Sequence, residues 1–397
     1  MNAPSSPVEN SARKSELYDL LRQVCVELDI TEAQYEQAKT AYEAISEWLA
    51  DAESPRFKNV ETYAHGSLGL RTITKPISGE EFDVDLICFF PTIPASTDAA
   101  TVKKLVGDRL RANARYSKML IEKKRCWRLD YAGIFHADIA PTIRNVACPN
   151  NGELVPDKLA RDWKPTHPRG YKHLFEKRAC LVPRTKIVKV SEPHNLRADT
   201  APFPEHGSGR GILRRTVQLL KRHRDIRFEH VGADISPISI IITTLAARSY
   251  AFSVNQWEFE TAFDVLEATI TNMPRFVERR VVGGRTEFVV ANETTAGENF
   301  ADRWNSEPKR AEAFFAWHQQ VLEDFQSLSA LEGRDSIQLA LARMLGARAV
   351  NPVFEKRIAS ISAARAANQL HVAPRVGLTT VSASGLGLVR QNTFYGR

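Results

Sequence analysis

Cysteine is sparse in this chain and never grouped. Five occur among 397 residues. Cys25, Cys88, Cys126, Cys148 and Cys180 form no CxxC pair and have no histidine at ligand spacing, which removes the sequence signature of a zinc site or a disulfide framework. Their odd number favours reduced thiols, as in a cytosol. No stretch comes near the roughly 18 apolar residues of a membrane span. Met1–Asn10 has neither the basic start nor the apolar run of a signal peptide, so a cytoplasmic protein with no membrane partner is expected. Internal repeats are lacking too, and glycine and proline, twenty of each, stay at ordinary levels. Collagen-like and low-complexity architectures are thereby excluded.

A strong net charge is also missing. The formal value of +7 is commonplace for a chain of this length and becomes informative only where it clusters. One cluster stands out: Arg210, Arg214, Arg215, Lys221, Arg222, Arg224 and Arg227. It is compatible with an anionic partner such as a nucleotide or a nucleic acid.

What is present is the composition of a soluble globular protein, 43% hydrophobic and 25% charged, long enough for two lobes sharing a cleft. Residues 1–13 are rich in Ser, Pro and Asn and read as a loose arm. Glu16–Asp29 and Thr31–Ala52 read as helices, the second opened by a Thr31/Gln34 capping box. Strands are expected at Asn59–His65, Glu81–Pro91, Cys126–Tyr131 and Gly133–Ile139, with a short helix after Gly66-Ser67 and another at Thr101–Arg115. Pro141–Gly211 is polar and loop-rich. From Ile212 the pattern turns helical: Ile212–Arg224, Pro237–Tyr250, Phe259–Met273, Ala296–Ser306, Pro308–Leu328 and Arg334–Leu345. Runs of mixed strands followed by helices imply an α+β protein, with a catalytic lobe over 14–205, a helical lobe over 206–363 and a loose tail over 364–397.

The segment Glu81–Phe90 sets Asp83 and Asp85 two apart in apolar surroundings. On a strand both face one side. Two like charges that close are costly unless a cation neutralises them; solvated aspartates at a strand end are the plainer reading. Asp138 interrupts a second apolar strand, and His65-Gly66-Ser67 precedes Asp83. Three carboxylates on adjacent strands make a hard oxygen cage suited to two Mg²⁺ ions, with Mn²⁺ an alternative. Gly66 permits close approach of backbone to phosphate.

This order of motifs resembles the polymerase-beta-type nucleotidyltransferases. The narrower set is similar to the cGAS/DncV-like branch, which makes cyclic nucleotide signals in anti-phage defence: Thr74-Lys75-Pro76, His136-Ala137-Asp138-Ile139-Ala140-Pro141, the helix Arg214–Asp225 and Ser236-Pro237-Ile238-Ser239. The resemblance implies a polymerase-beta-like lobe of mixed β-sheet beside a C-terminal helical lobe, with the active site in the cleft. It implies that Asp83, Asp85 and Asp138 bind metal, that Gly66 and Ser67 touch the triphosphate, and that Lys221 with Ser236 or Ser239 holds the β- and γ-phosphates. ATP and GTP would be the substrates, cyclic GMP-AMP the first product to seek, and nucleic acid not obligatory. The ending Gln391–Arg397 resembles tails that operon-encoded conjugating enzymes modify, although Arg397 departs from that pattern.

Two residues have competing explanations. A lysine in a basic helix suits phosphate, but Lys221 equally fits a solvated helical face. Ser236 ahead of Pro237 reads as a helix N-cap. Rival functions are a transferase acting on RNA or a protein hydroxyl, for which the helix Arg210–Arg227 would supply a basic track, and a silent nucleotide-binding scaffold.

Overall fold

The computed structural model describes residues 7–52, 54–77, 81–157, 162–185, 210–373, 377–379 and 387–389. Helix α1 (Pro7–Leu28) is followed by α2 (Glu32–Ala50). Helix α1 starts inside the span expected to be a loose arm, because proline is tolerated in a first helical turn and no glycine or proline interrupts Val8–Glu16. The capping box of α2 is as expected: the Gln34 amide donates to Thr31 Oγ1 (3.2 Å) and the Thr31 amide to Gln34 Oε1 (2.9 Å).

Strand β1 (Glu61–His65) runs through the single turn α3 (Gly66–Gly69) towards β2 (Phe82–Phe90). Helix α4 (Ala99–Arg111) follows, then β3 (Leu120–Glu122), β4 (Trp127–Tyr131), β5 (Phe135–Arg144), β6 (Glu153–Asp157) and β7 (Asp162–Thr166). These strands form one mixed sheet in the order β1-β2-β5-β4-β3, extended by β6 and β7 beyond β5. The β2–β5 pair is parallel; α4 and the β3–β4 hairpin provide the crossover that a parallel pair needs. Strand alternation divides β2 cleanly. Phe82, Val84, Leu86 and Cys88 enter a core with α2 and α4, whereas Asp83, Asp85, Ile87 and Phe89 occupy the opposite face. Close approach of α4 to that core depends on Gly107, where a Cβ would lie 2.3 Å from the Trp127 ring.

Helix α5 (Pro168–Ala179) and the two-residue strand β8 (Arg184–Thr185) precede α6 (Ile212–Phe228) and α7 (Ser239–Gln256). Strand β9 (Glu258–Phe259), α8 (Ala262–Asn272), a hairpin of β10 (Glu278–Val282) and β11 (Arg285–Val289), and α9 (Asp302–Ser306) come next. The chain continues as α10 (Lys309–Ala330), α11 (Arg334–Leu345) and α12 (Ala347–Ala366), with a small sheet of β12 (His371–Ala373), β13 (Gly377–Thr379) and β14 (Gly387–Leu388). The helix expected at Ala296–Ser306 shrinks to α9, since Gly297 takes φ +83° and Asn299 instead bridges to the hairpin through Phe288 and Val290. Parts of the expected loose tail are therefore strands; Gln391–Arg397 lies outside the described residues.

Two cores result. One joins α2, α4 and the sheet; the other joins α6 to α12 and also takes in α1 and Phe175 of α5. The expected catalytic-lobe span 14–205 thus divides, because Leu17, Leu21, Val24 and Leu28 lie against helices rather than the sheet.

Helix α6 fastens the lobes together. Between α3 and β2, the segment Leu70–Lys75 has no strand partner, and four α6 side chains donate to its carbonyls: Arg214 Nε to Leu70 (3.1 Å), Lys221 Nζ to Thr72 (3.0 Å), Gln218 Nε2 to Ile73 (2.8 Å) and Arg222 Nη2 to Lys75. Buried Asp29, between α1 and α2, accepts from Gln218 Nε2 (2.8 Å), Arg215 Nη1 (3.4 Å) and Arg210 Nη1. The basic cluster noted in the sequence is consequently turned inward over much of its length. Replacing Asp29 by Asn leaves two buried guanidinium groups without a counter-charge, a defect of about 3–5 kcal/mol. The variant's urea midpoint should fall accordingly, and an unchanged midpoint would show that this junction is not structural.

Candidate active site

The sheet register assembles the site from residues far apart in sequence. Asp85 pairs with His65 on β1 and with Asp138 on β5, and Asp138 pairs with Arg128 on β4. His65, Asp85, Asp138 and Arg128 therefore form one row across four strands. A second row, one pleat away, holds Asp83, His136 and Asp130. Adjacent strands lie about 4.8 Å apart, so the three aspartates expected to act together share one small patch of one sheet face.

Gly66 sits against that patch. Its φ is +61°, and a Cβ there would come within 1.9 Å of Asp85 Oδ2. Glycine is thus required twice, for a left-handed backbone and for the space that the Asp85 carboxylate fills. Ser67 follows it in α3 and fixes the next segment by accepting from the Thr72 amide (2.9 Å).

Charge is poorly hydrated at Asp85 and Asp138, whereas the Asp83 side chain is half exposed. Burial first, then repulsion from Asp83 and Asp138, pushes the Asp85 carboxyl up to about 7, against the attraction of Lys221 and Arg128. Burial also raises Asp83, while Arg128 opposes that rise. Burial pushes His65 down to about 4, so its ring is neutral near pH 7. Lys221 is brought down to about 8 by burial and by Arg224, with Asp225, Asp85 and Asp83 holding it up. It therefore feels the carboxylates from across the cleft and is buried rather than a solvated lysine.

The serines divide. Helix α7 begins at Ser239, with Ile238 as an extended N-cap (φ −70°, ψ 146°) and no side-chain cap. Ser236 is therefore not the cap expected from its proline neighbour, because Pro237 stays outside the helix and its carbonyl accepts from Arg224 Nη1 (2.6 Å). Ser239 Oγ accepts from Arg224 Nη2 (3.3 Å), one helical turn from Lys221.

Arg128, Asp130 and His136 were given no catalytic role by their sequence pattern. Arg128 grips Asp138 through Nε to Oδ1 (2.7 Å) and Nη2 to Oδ2 (2.8 Å), and Nη2 also reaches Asp83 Oδ1 (3.0 Å). An Arg128–Asp130 surface pair, the simplest reading of residues two apart, is not formed: register puts Arg128 opposite Asp138. Asp130 instead faces His136, whose Nε2 is 4.0 Å from Asp130 Oδ1 and in contact with Glu81, while its Nδ1 is 3.5 Å from Asp83 Oδ1. The alternation Arg128-x-Asp130 against His136-x-Asp138 was the available signal, legible only once the register is known.

The donor set suits Mg²⁺. It consists of carboxylate oxygens, hard ligands, and the guanidinium bridging Asp138 and Asp83 shows that they converge on a single cationic charge.

Comparison with known proteins agrees with this geometry. Residues 16–178 match the family described as the Second Messenger Oligonucleotide or Dinucleotide Synthetase domain. A c-di-GMP synthase of Roseivirga ehrenbergii is 28% identical over 391 residues, 97% of this chain and 99% of the relative. The CD-NTase CdnG of Bradyrhizobium diazoefficiens, solved with GTP, superposes with a TM-score of 0.65 at 17% identity, over 86% of this chain and 97% of that one. The di-nucleotide cyclase DncV of Vibrio cholerae gives 0.51 at 12% identity, over 86% and 89%. At these identities the two structures speak for the fold. The chain is similar to the cGAS/DncV-like nucleotidyltransferases in this domain and shares their fold.

The architecture is that of these neighbours, a mixed-sheet lobe of polymerase-beta-like type beside a helical lobe. Gly66 offers a sharp test. Gly66→Ala adds a left-handed penalty of about 1–2 kcal/mol and forces Asp85 aside, and a catalytic group displaced by an ångström can cost about a hundredfold in rate. Gly284→Ala, at φ +78° with nothing within 4 Å, carries the backbone penalty alone and should keep full activity. Equal rates for the two variants would remove Gly66 from the site.

Proposed function

We propose that the enzyme condenses two GTP molecules into cyclic di-GMP as a signal in anti-phage defence, each step an in-line attack of a ribose hydroxyl on an α-phosphate with loss of pyrophosphate. The observation that carries the chemistry is the row Asp85–Asp138 with Asp83 beside it, Gly66 against it and Lys221 across the cleft. Preference for GTP rests on the relative that spans nearly the whole chain. The ATP-plus-GTP substrates and the cyclic GMP-AMP product expected from the sequence motifs form the second reading, and DncV, named as a cyclic AMP-GMP synthase, shares the fold.

Asp83, Asp85 and Asp138 would hold the metal, and Asp138 would also orient the attacking hydroxyl. Two magnesium ions bound there would lower the hydroxyl's pKa and stabilise the departing pyrophosphate; Mn²⁺ suits the same oxygens. Gly66 and Ser67 bring backbone to the triphosphate, and Lys221 with Ser239 takes the β- and γ-phosphates. Catalysis is then chiefly positioning and charge stabilisation. An RNA-directed transferase loses its sequence basis, since Arg214, Arg215 and Arg222 of the supposed basic track are buried.

Labelled nucleotides test this directly. Purified protein given GTP and Mg²⁺ should make a phosphatase-resistant product without nucleic acid. Strict dependence on added ATP selects cyclic GMP-AMP, and dependence on an RNA primer selects the transferase. Asp83→Asn with Asp85→Asn should lower product formation by roughly a hundred- to a thousandfold or more, and should abolish the rise in melting temperature that Mg²⁺ with GTP gives wild type through mass action. Normal turnover in that double variant would remove the aspartates from catalysis.

Lys221 predicts a pH dependence. Its folded pKa, about 8, lies below the ordinary 10.5. Between those values the folded chain releases a proton that the unfolded chain keeps, so this group's contribution to stability rises with pH across that window. Its attraction for phosphate falls over the same window. KM for GTP should therefore climb above pH 8 in wild type and stay flatter in Lys221→Arg; parallel profiles would show that Lys221 does not hold phosphate.

A further inference from the structure

We propose that Arg128 is a two-position counter-ion: it occupies the catalytic carboxylates until a divalent cation displaces it, and then moves onto Asp130. The inference rests on the metal-binding reading above and adds to it a residue that sets metal affinity by competition.

The first position is the one described. Arg128 donates to both oxygens of Asp138 and to Asp83 Oδ1 at 2.7–3.0 Å. A divalent cation needs those same oxygens at about 2.1 Å, and a planar guanidinium with two parallel bonds to one carboxylate covers the lone pairs it would use. Like charges a few ångströms apart repel as well. Guanidinium and metal therefore exclude one another, and the charge-assisted bonds to Arg128 must break before the metal binds.

The second position is defined by Asp130. It lies two residues from Arg128 on β4, so the two side chains share a face about 7 Å apart at the backbone, within reach of a rotating arginine. Asp130 Oδ1 is buried and has no hydrogen-bond partner. A buried carboxylate oxygen without a donor is costly, and withdrawal of Arg128 from Asp138 supplies one. Arg128 Nη1 already approaches His136 Nδ1 (3.1 Å), next to Asp130 in the second row. The move is thus a rotation within one patch, with a charged acceptor at each end.

Mn²⁺ binding, followed by calorimetry without nucleotide, tests this. Removing the competitor in Arg128→Gln should tighten binding on the order of tenfold, the equivalent of one charge-assisted hydrogen bond. Asp130→Asn, which weakens the withdrawn position, should loosen binding several-fold in wild type and have no effect in the Arg128→Gln background. Arg128→Lys keeps the charge without the fork and should fall between wild type and Arg128→Gln. Equal or weaker binding by Arg128→Gln overturns the proposal, as does an Asp130→Asn effect that persists without Arg128. If neither wild type nor Arg128→Gln binds Mn²⁺, the metal reading itself fails; binding by wild type with no Arg128 effect leaves that reading intact and removes only this one. An unfolded Gln variant is guarded against on wild type: the arginine Nε–Hε NMR signal that Arg128→Lys deletes should shift in step with Mg²⁺ saturation, and a signal that stays still also overturns the proposal.

Discussion

The unpaired segment Leu70–Lys75 is the constraint from which the rest of the architecture follows. It carries the chain from the Gly66 turn to the strand bearing Asp83 and Asp85, and its backbone has no ladder to satisfy it. Buried carbonyls must find donors, and here they find them on α6, through Arg214, Gln218, Lys221 and Arg222. These positions recur at helical spacing, so one face of one helix engages four carbonyls of a six-residue irregular segment. Fixing that segment fixes the distance between Gly66 and the helical lobe, and with it the width of the cleft.

Lys221 shows how the same interaction serves two ends. Its Nζ donates to the Thr72 carbonyl, which leaves further donors of the ammonium for another acceptor. Burial lowers its pKa, and the carboxylates opposite raise it again. A cationic group held this way has no need to be recruited from solvent when a polyanion arrives. The aspartates face the reverse problem, since three of them crowd one patch and their mutual repulsion is offset by Arg128. Both devices place charge where water is scarce and let a partner of opposite sign complete it.

The acidic triad was readable from the sequence because strand alternation is local: Asp83 and Asp85 stand out in Phe82–Phe90 without knowledge of any neighbour. The Thr31 capping box and the span of α11 were readable for the same reason. Arg128 was not, since its meaning comes from lying opposite Asp138, a long-range register that composition does not encode. The basic helix was misleading in a related way; its arginines look like a polyanion track until their acceptors, carbonyls some 150 residues earlier, are placed. Ser236 failed as a cap because Ile238 prolongs the extended backbone by two residues. The allegiance of α1 to the helical core, with Leu17 and Leu21 among helices, depends on tertiary contacts alone.

That helix α6 supplies the donors for Leu70–Lys75 also bears on how the enzyme comes into being. Contacts between α6 and this segment span 144–149 residues, and a chain emerging from the ribosome exposes its sheet lobe well before α6 has been made. During that interval the three aspartates can be present on their strands, yet the segment leading to them has no fastening and Lys221 does not exist. The complete patch is therefore assembled only once α6 docks on this segment. Such an order leaves unfinished or truncated copies without Lys221 and without the donors that hold Leu70–Lys75.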